Sequence, residues 1–335
     1  MIAINTLLGN LPEKKVMDKI TFTPQGKISY EIRFEEAVLL SYEGTDRYLI
    51  LPETLENRPL TSIAPKAFLG QRTIEHLVLP TRLKFLASWA FAHMTGLKIL
   101  SLPPNNIQLE KQVFLDCPAL SEIRILPSDL SESLSVQKHD SLQKTFCITE
   151  DPALPFYLAA VISVLKNLSL FCPDLAGSKE WYKSFDKAVL YLLSRPDDEG
   201  FEPVYLGWFE DEDVMATQYP AYIKKRRLEK GALSMNRLRF PIHLSMEAEE
   251  TYKAYIVSHF QSGVWERFCT PEYVSDSCYM KLFIDSGCIT EDNISLLLSD
   301  LNSLNSSQAA ETMAMLLHHR ETALQKEDFW NNLSL

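Results

Sequence analysis

The chain has 335 residues, 46% of them hydrophobic and 23% charged, with a formal net charge of −11. That is ordinary composition for a folded, water-soluble chain long enough for two domains with their own cores. The negative charge disfavours non-specific binding to nucleic acid or an anionic membrane, and 11 glycines argue against a large α/β enzyme rich in phosphate-binding turns.

The N-terminal stretch "MIAINTLLGNLPEKK" has no basic start, no apolar run and no small-residue cleavage site, so it does not read as a signal peptide. Six scattered cysteines (117, 147, 172, 269, 278 and 288) show no paired spacing, and the expected compartment is the reducing cytoplasm. Charge is uneven along the chain: residues 1–150 carry 16 basic and 17 acidic side chains, the remainder 17 and 27.

Strands come before the repeat. "KISYEIRF", "AVLLSYEG" and "RYLILP" alternate apolar and polar residues as half-buried strands do, and they read as a small β cap. A repeat follows. "SIAPKAFLGQRTIEHLVLP" (62–80) aligns with "FLASWAFAHMTGLKILSLP" (85–103) at an offset of 23, pairing Ala67 with Ala90, Phe68 with Phe91 and Leu77 with Leu100. A third copy, "LEKQVFLDCPALSEIRI" (109–125), keeps the register at Phe114, Leu120, Ile123 and Ile125. Each copy ends in a short strand with two apolar side chains on one face. No copy can bury that face alone, so stacked copies share one core.

This run, with its opening "YEGTDRYLILPETLENRPLTSIAPKAF" (42–68), resembles the BspA-like leucine-rich repeats common in bacteria, over roughly residues 28–127. The resemblance implies a β solenoid and is weak for function. Well-known relatives are secreted adhesins built from long arrays, whereas about three full copies and no export signal are visible here.

The polar stretch "PSDLSESLSVQKHDS" (127–141) reads as a junction, and from Asp151 the hydrophobic period becomes helical. Leu158, Val161, Ile162, Leu165 and Leu168 form one stripe; Trp181, Phe185, Ala188 and Leu192 form another. "TPEYVSDSCYMKLFIDSG" is expected to start at the N-cap Thr270 with Pro271 behind it and to stop at Gly287. Ile294, Leu297, Leu298, Leu301 and Leu304 mark the next helix, and Ala309, Met313 and Leu316 or Leu317 the last. Short links imply antiparallel helix hairpins.

The expected fold class is α+β. A short leucine-rich-repeat β solenoid with an N-terminal β cap (1–130) leads through a junction (131–150) to an all-helical, hairpin-like domain (151–335) that closes the solenoid's far end.

No phosphate loop, dinucleotide fingerprint, "HExxH" or "GxSxG" occurs, and no cofactor or metal is expected. Cys269, Cys278 and Cys288, with His259, are too widely spaced for a structural zinc site and read as buried small hydrophobes, Cys278 in a stripe with Val274 and Leu282. His318 and His319 read as residues near a helix C-terminus, where the dipole favours them. The acidic run 196–214 reads as a solvated loop and helix start. The basic run Lys224, Lys225, Arg226, Arg227 and Lys230 is expected to neutralise it across a hairpin rather than bind nucleic acid.

The functional surface is expected on the outer face of the repeat strands. Inward Leu77/Leu79, Leu100/Leu102 and Ile123/Ile125 leave His76, Val78, Ile99, Ser101, Glu122 and Arg124 outside, aligned by the 23-residue spacing into two columns. A non-catalytic, intracellular bacterial protein-interaction module with a protein or peptide partner is the leading expectation. The alternatives are a hydrolase or transferase using acids from 197–213, and a surface adhesin exported by another route.

Overall fold

The computed structural model describes residues 19–126, 151–203, 211–304 and 307–333. The chain divides into two compact units. One comprises Met1–Ile148, Leu158–Ser163 and Phe171–Leu175; the other comprises Thr149–Tyr157, Val164–Leu170 and Ala176–Leu335.

The first unit opens with β1 (Lys19–Thr23), β2 (Gly26–Arg33) and β3 (Glu36–Gly44), paired antiparallel in sequence order. Phe34 and Glu35, at φ 45° and 70°, make the tight turn between β2 and β3. β3 then changes partner class: its other edge pairs parallel with β6 (Arg58–Ile63), and the antiparallel cap becomes a parallel solenoid. Asp46 fastens this junction. Buried at 4% exposure, it accepts hydrogen bonds from Thr23 Oγ1 (2.5 Å), the Gln25 amide (3.1 Å) and the Tyr42 hydroxyl (2.8 Å). Burial, with Asp46 beside it, pushes that tyrosine hydroxyl up to about 12.

Two parallel ladders build the solenoid. One continues β6 through β8 (Phe85–Leu86) to β10 (Gln108–Leu109), with β5 (Thr54–Leu55) turning back on β6. The other runs β4 (Tyr48–Ile50), β7 (His76–Val78), β9 (Ile99–Leu102) and β11 (Glu122–Ile125). Leu49, Leu77, Leu100 and Ile123 share one register position, and each is at most 1% exposed. Between the ladders runs a file of aromatic rings, Tyr42, Phe68, Phe91 and Phe114, at successive centroid distances of 5.5 Å. Phe171, from the later segment Phe171–Leu175 of the same unit, adds a fifth ring at 6.1 Å. Crowding between copies is severe at Gly96, where a methyl group would stand 2.0 Å from the Arg72 carbonyl oxygen.

The offset of 23 therefore holds, with one correction. "RYLILP" is not cap but the first rung of the second ladder, since Tyr48 pairs with His76. The β5–β6 turn lengthens that first coil to 28 residues, which takes it out of the 23-residue register.

The second unit is helical, and α1 (Leu154–Ser163) is shared with the first: its residues Leu158–Ser163 cluster with the repeats. Lys166, at φ 51°, follows the end of α1. Leu165 and Leu168 accordingly leave the expected stripe, and Leu168 is 41% exposed. α2 (Lys179–Ser194) is capped by Ser178, whose side chain accepts from the Trp181 amide; Trp181, Phe185 and Leu192 are buried as expected. α3 (Asp211–Arg239) and α4 (Met246–Ser258) follow.

Arg237 joins these helices. Fully buried, it holds Asp186 with two bonds (2.7 and 2.9 Å), donates to the carbonyls of Phe240 and Ile242, and lies 4.8 Å over the Tyr182 ring. Tyr252 donates to Asp186 at 2.9 Å, and Tyr182 donates to Asp151.

Further α-helices are α5 (Trp265–Phe268), α6 (Pro271–Val274), α7 (Ser277–Asp285), α8 (Glu291–Ser303) and α9 (Ala310–Leu333). The single helix expected from Thr270 to Gly287 is broken. Ser275 and Asp276 end α6, and the Asp276 side chain caps α7 by accepting from the Cys278 amide. That restart changes the phase: Tyr279, Met280 and Phe283 are buried and Cys278 is exposed, against the reading of Cys278 as a buried thiol. Gly287, at φ 72°, closes α7 with bonds from Gly287 to Ile284 and from Cys288 to Phe283. Thr290 and Asn293 form a capping box at α8. His318 and His319 lie in mid-helix, because α9 continues to Leu333; the dipole account of them fails.

Candidate functional site

The outer face of the β4–β7–β9–β11 ladder holds the expected residues in register. His76, Ile99 and Glu122 form one column, and Val78, Ser101 and Arg124 the other. The first rung extends these columns by Tyr48 and Ile50, which the sequence reading omitted because the coil of 28 residues placed them in the cap.

Contacts run between rungs and, in β11, along one. Tyr48 meets His76 edge to face at 4.7 Å, the His76 Nε2 lies 2.8 Å from the Ser101 hydroxyl, and Arg124 donates to Glu122 through Nε (2.8 Å) and Nη2 (2.6 Å). Burial raises the Tyr48 hydroxyl, and the charge of Arg124 opposes that rise.

The columns are not equally open. Val78 is 3% exposed and Ser101 2%, so these two expected contact residues are buried, and Val78 packs with Leu126, Tyr48 and Ile50. His76, Ile99, Glu122 and Arg124 are half-buried. The strip open to solvent is thus an isoleucine and an ion pair at its far end, with a tyrosine, an isoleucine and a histidine at its near end.

In the described part of the acidic run, the carboxylates of residues 197–199 are tied to basic or tyrosine side chains rather than to one another. Asp197 accepts from Lys230 Nζ (2.7 Å) and Arg227 Nε (2.8 Å). Burial pushes its carboxyl up, but the two cations outweigh it and hold it below the usual range. Asp198 accepts from the Tyr219 hydroxyl, and Glu199 holds Arg195. The expected neutralisation by the basic run occurs at Asp197, while Lys224 turns instead to Glu266. The side chains of residues 204–214, Trp208 and Phe209 included, lie outside those described.

Among the described residues no group of three or more His, Cys, Asp or Glu side chains could hold a metal ion, and no helix is long and apolar enough to cross a membrane. Burial pushes the thiols of Cys117 and Cys288 up to about 11 and that of Cys269 up to about 12, away from the thiolate form.

Fold and register together define a leucine-rich-repeat solenoid joined to a helical region. Residues 51–140 match, in six copies, the family model of the BspA type leucine rich repeat region. That repeat class therefore occupies one part of a longer chain.

Two solved structures are similar to part of the chain. A leucine-rich repeat protein from Bacteroides capillosus is 26% identical over 33% of this chain and 85% of its own, with a TM-score of 0.28. The leucine-rich repeat protein of T. pallidum is 20% identical over 33% of this chain and 48% of its own, with a TM-score of 0.24. A comparison with curated proteins gave no match.

Proposed function

We propose that the chain is a non-catalytic protein-interaction module, and that its repeat unit offers a partner the open part of the outer ladder face. The observation that carries this reading is the register of that face. Four parallel rungs place Tyr48, His76, Ile99 and Glu122 in one file beside an ion-paired arginine. Solenoids use such ordered files to meet extended protein surfaces, and mixed aromatic, aliphatic and arginine chemistry is typical of the centres of such contacts.

The partner is a protein or peptide; the chain's net charge of −11 weighs against nucleic acid and anionic membrane. The unpaired thiols of Cys117, Cys269, Cys278 and Cys288 favour a reducing, cytoplasmic setting.

Capture from a lysate of the source organism tests the reading, with wild type beside an Ile99→Glu/Arg124→Glu variant. Val78 and Ser101 are unsuitable positions, because a carboxylate at either would be buried. A partner enriched by wild type and lost with the variant, at unchanged circular dichroism, supports the outer face. A partner retained by the variant places binding elsewhere, and no enrichment by either protein defeats the proposal.

A further inference from the structure

The helical unit contains a cleft that neither the repeats nor the acidic run predicts. Its volume is about 870 Å³, and all of its walls belong to the second unit. One wall is the segment 164–170 that follows α1, the other is the outer side of α2 from Ser184 to Arg195, and Arg226 of α3 lies between them. The volume falls within the range of small-molecule sites.

The charge of the lining runs against that of its surroundings. Four cations line the cleft, Lys166, Lys187, Arg195 and Arg226, against the single carboxylate of Glu199. Residues 151–335 as a whole carry 17 basic and 27 acidic side chains, so this balance is locally reversed. Glu199 is already committed to Arg195, through bonds of 2.5 and 2.7 Å. Lys166 and Lys187 make no ion pair among the described residues, while Arg226 pairs with Glu229 at 3.7 Å and donates to the Val164 carbonyl at 3.4 Å. The two lysines therefore stand without a carboxylate partner on the cleft wall, beside an arginine that is only loosely paired, and the cleft concentrates their field.

The cleft is also apolar in part. Leu168, 41% exposed, and Tyr191, 64% exposed, stand at its sides, and the Arg195 guanidinium lies 5.7 Å from the Tyr191 ring centroid. Exposed leucine and tyrosine beside the two lysines fit one chemistry: an apolar body ending in a negative group.

We propose that this cleft is a binding site for a small amphipathic anion, an apolar chain or ring bearing one carboxylate, phosphate or sulfate group. Lys166, Lys187 and Arg226 take the anionic head, and Leu168 and Tyr191 cover the body.

Isothermal titration calorimetry of the full chain with octyl phosphate tests the site, with inorganic phosphate and 1-octanol as the two half-probes. Three variants accompany wild type: Lys187→Glu against the head, Leu168→Ser against the body, and Met246→Ser as a control. Met246 is 82% exposed and lies outside the cleft. All three positions are on the surface, so the fold survives and circular dichroism verifies it.

The expected result is one saturable site for octyl phosphate, weakened at least tenfold by Lys187→Glu and severalfold by Leu168→Ser, and unchanged in Met246→Ser. Each half-probe should bind at least tenfold more weakly, and added salt should weaken octyl phosphate further. No binding of octyl phosphate at millimolar concentration overturns the proposal, as does binding that wild type and both cleft variants share equally. Equal binding of octanol and octyl phosphate overturns the anionic part.

Discussion

Lys66, Trp89 and Gln112 stand 23 residues apart and hold φ of 62°, 65° and 59°. Every coil therefore turns through a left-handed residue that is not glycine, which costs an L-residue about 1–2 kcal/mol. Gln112 is exposed, so its side chain loses little when altered. Gln112→Gly is expected to stabilise the chain by up to about 1 kcal/mol once the added unfolded-state entropy is counted, and Gln112→Val to destabilise it by about 1–2 kcal/mol. Urea denaturation midpoints decide this; a valine variant as stable as wild type refutes the account.

Glu229 is a second strained residue, this time electrostatically. Burial raises its carboxyl above the ordinary value, while Lys225 and Arg226, at 3.8 and 3.7 Å, oppose that rise from too far away to cancel it. A carboxyl whose folded value is raised favours the native state when protonated. Stability from it is full below the ordinary carboxylate range and is lost as pH rises through the folded value. Glu229→Gln should therefore be more stable than wild type at pH 7, with the difference vanishing below about pH 4. A pH series of thermal melts reads the sign directly, and a variant less stable at pH 7 contradicts it.

At the scale of elements, a buried ion pair ties three helices together inside the apolar interior of the helical unit. Arg237 from α3 reaches Asp186 of α2, and Tyr252 of α4 completes the acceptor's shell. Removing one member leaves the other ionised and buried. Arg237→Met and Asp186→Leu alone should each cost about 3–5 kcal/mol, and the double variant clearly less than their sum. A double-mutant cycle by chemical denaturation tests this, and additive losses would mean that the pair is not coupled.

None of this was legible in advance, because Asp186 and Arg237 are 51 residues apart and nothing in either local pattern joins them. The repeat strands were legible, since Leu77, Leu100 and Ile123 recur at a fixed spacing and each is fully buried. The first rung was hidden by a hairpin that changes the spacing, and Cys278 was misplaced because a two-residue break resets helix phase without disturbing composition. The six face residues were legible as a register, but the burial of Val78 and Ser101 was not, because alternation along a strand gives the side and not what covers it.

At the scale of the whole molecule, the two units are not consecutive segments. Residues Leu158–Ser163 and Phe171–Leu175 belong with the repeats although they lie within the helical sequence. Phe171 is the physical reason: at 4% exposure it sets a fifth ring, tilted by 57°, against Phe114 and closes a file whose other rings all come from the repeat coils and their opening strand. An open solenoid end exposes an apolar layer that must be covered.

Phe171→Ala should then act on the repeats rather than on the helices. It removes a buried ring at a cost of about 3–5 kcal/mol and leaves Phe114 with Phe91 on one side and no ring on the other. Hydrogen exchange read by mass spectrometry should show faster uptake in peptides spanning β9 and β11, while peptides from α7 and α8 remain as in wild type. Loss confined to the helices would assign Phe171 to the wrong unit. Faster exchange everywhere would mean that the two units open together, as a helix shared between them at Tyr157 and Leu158 permits.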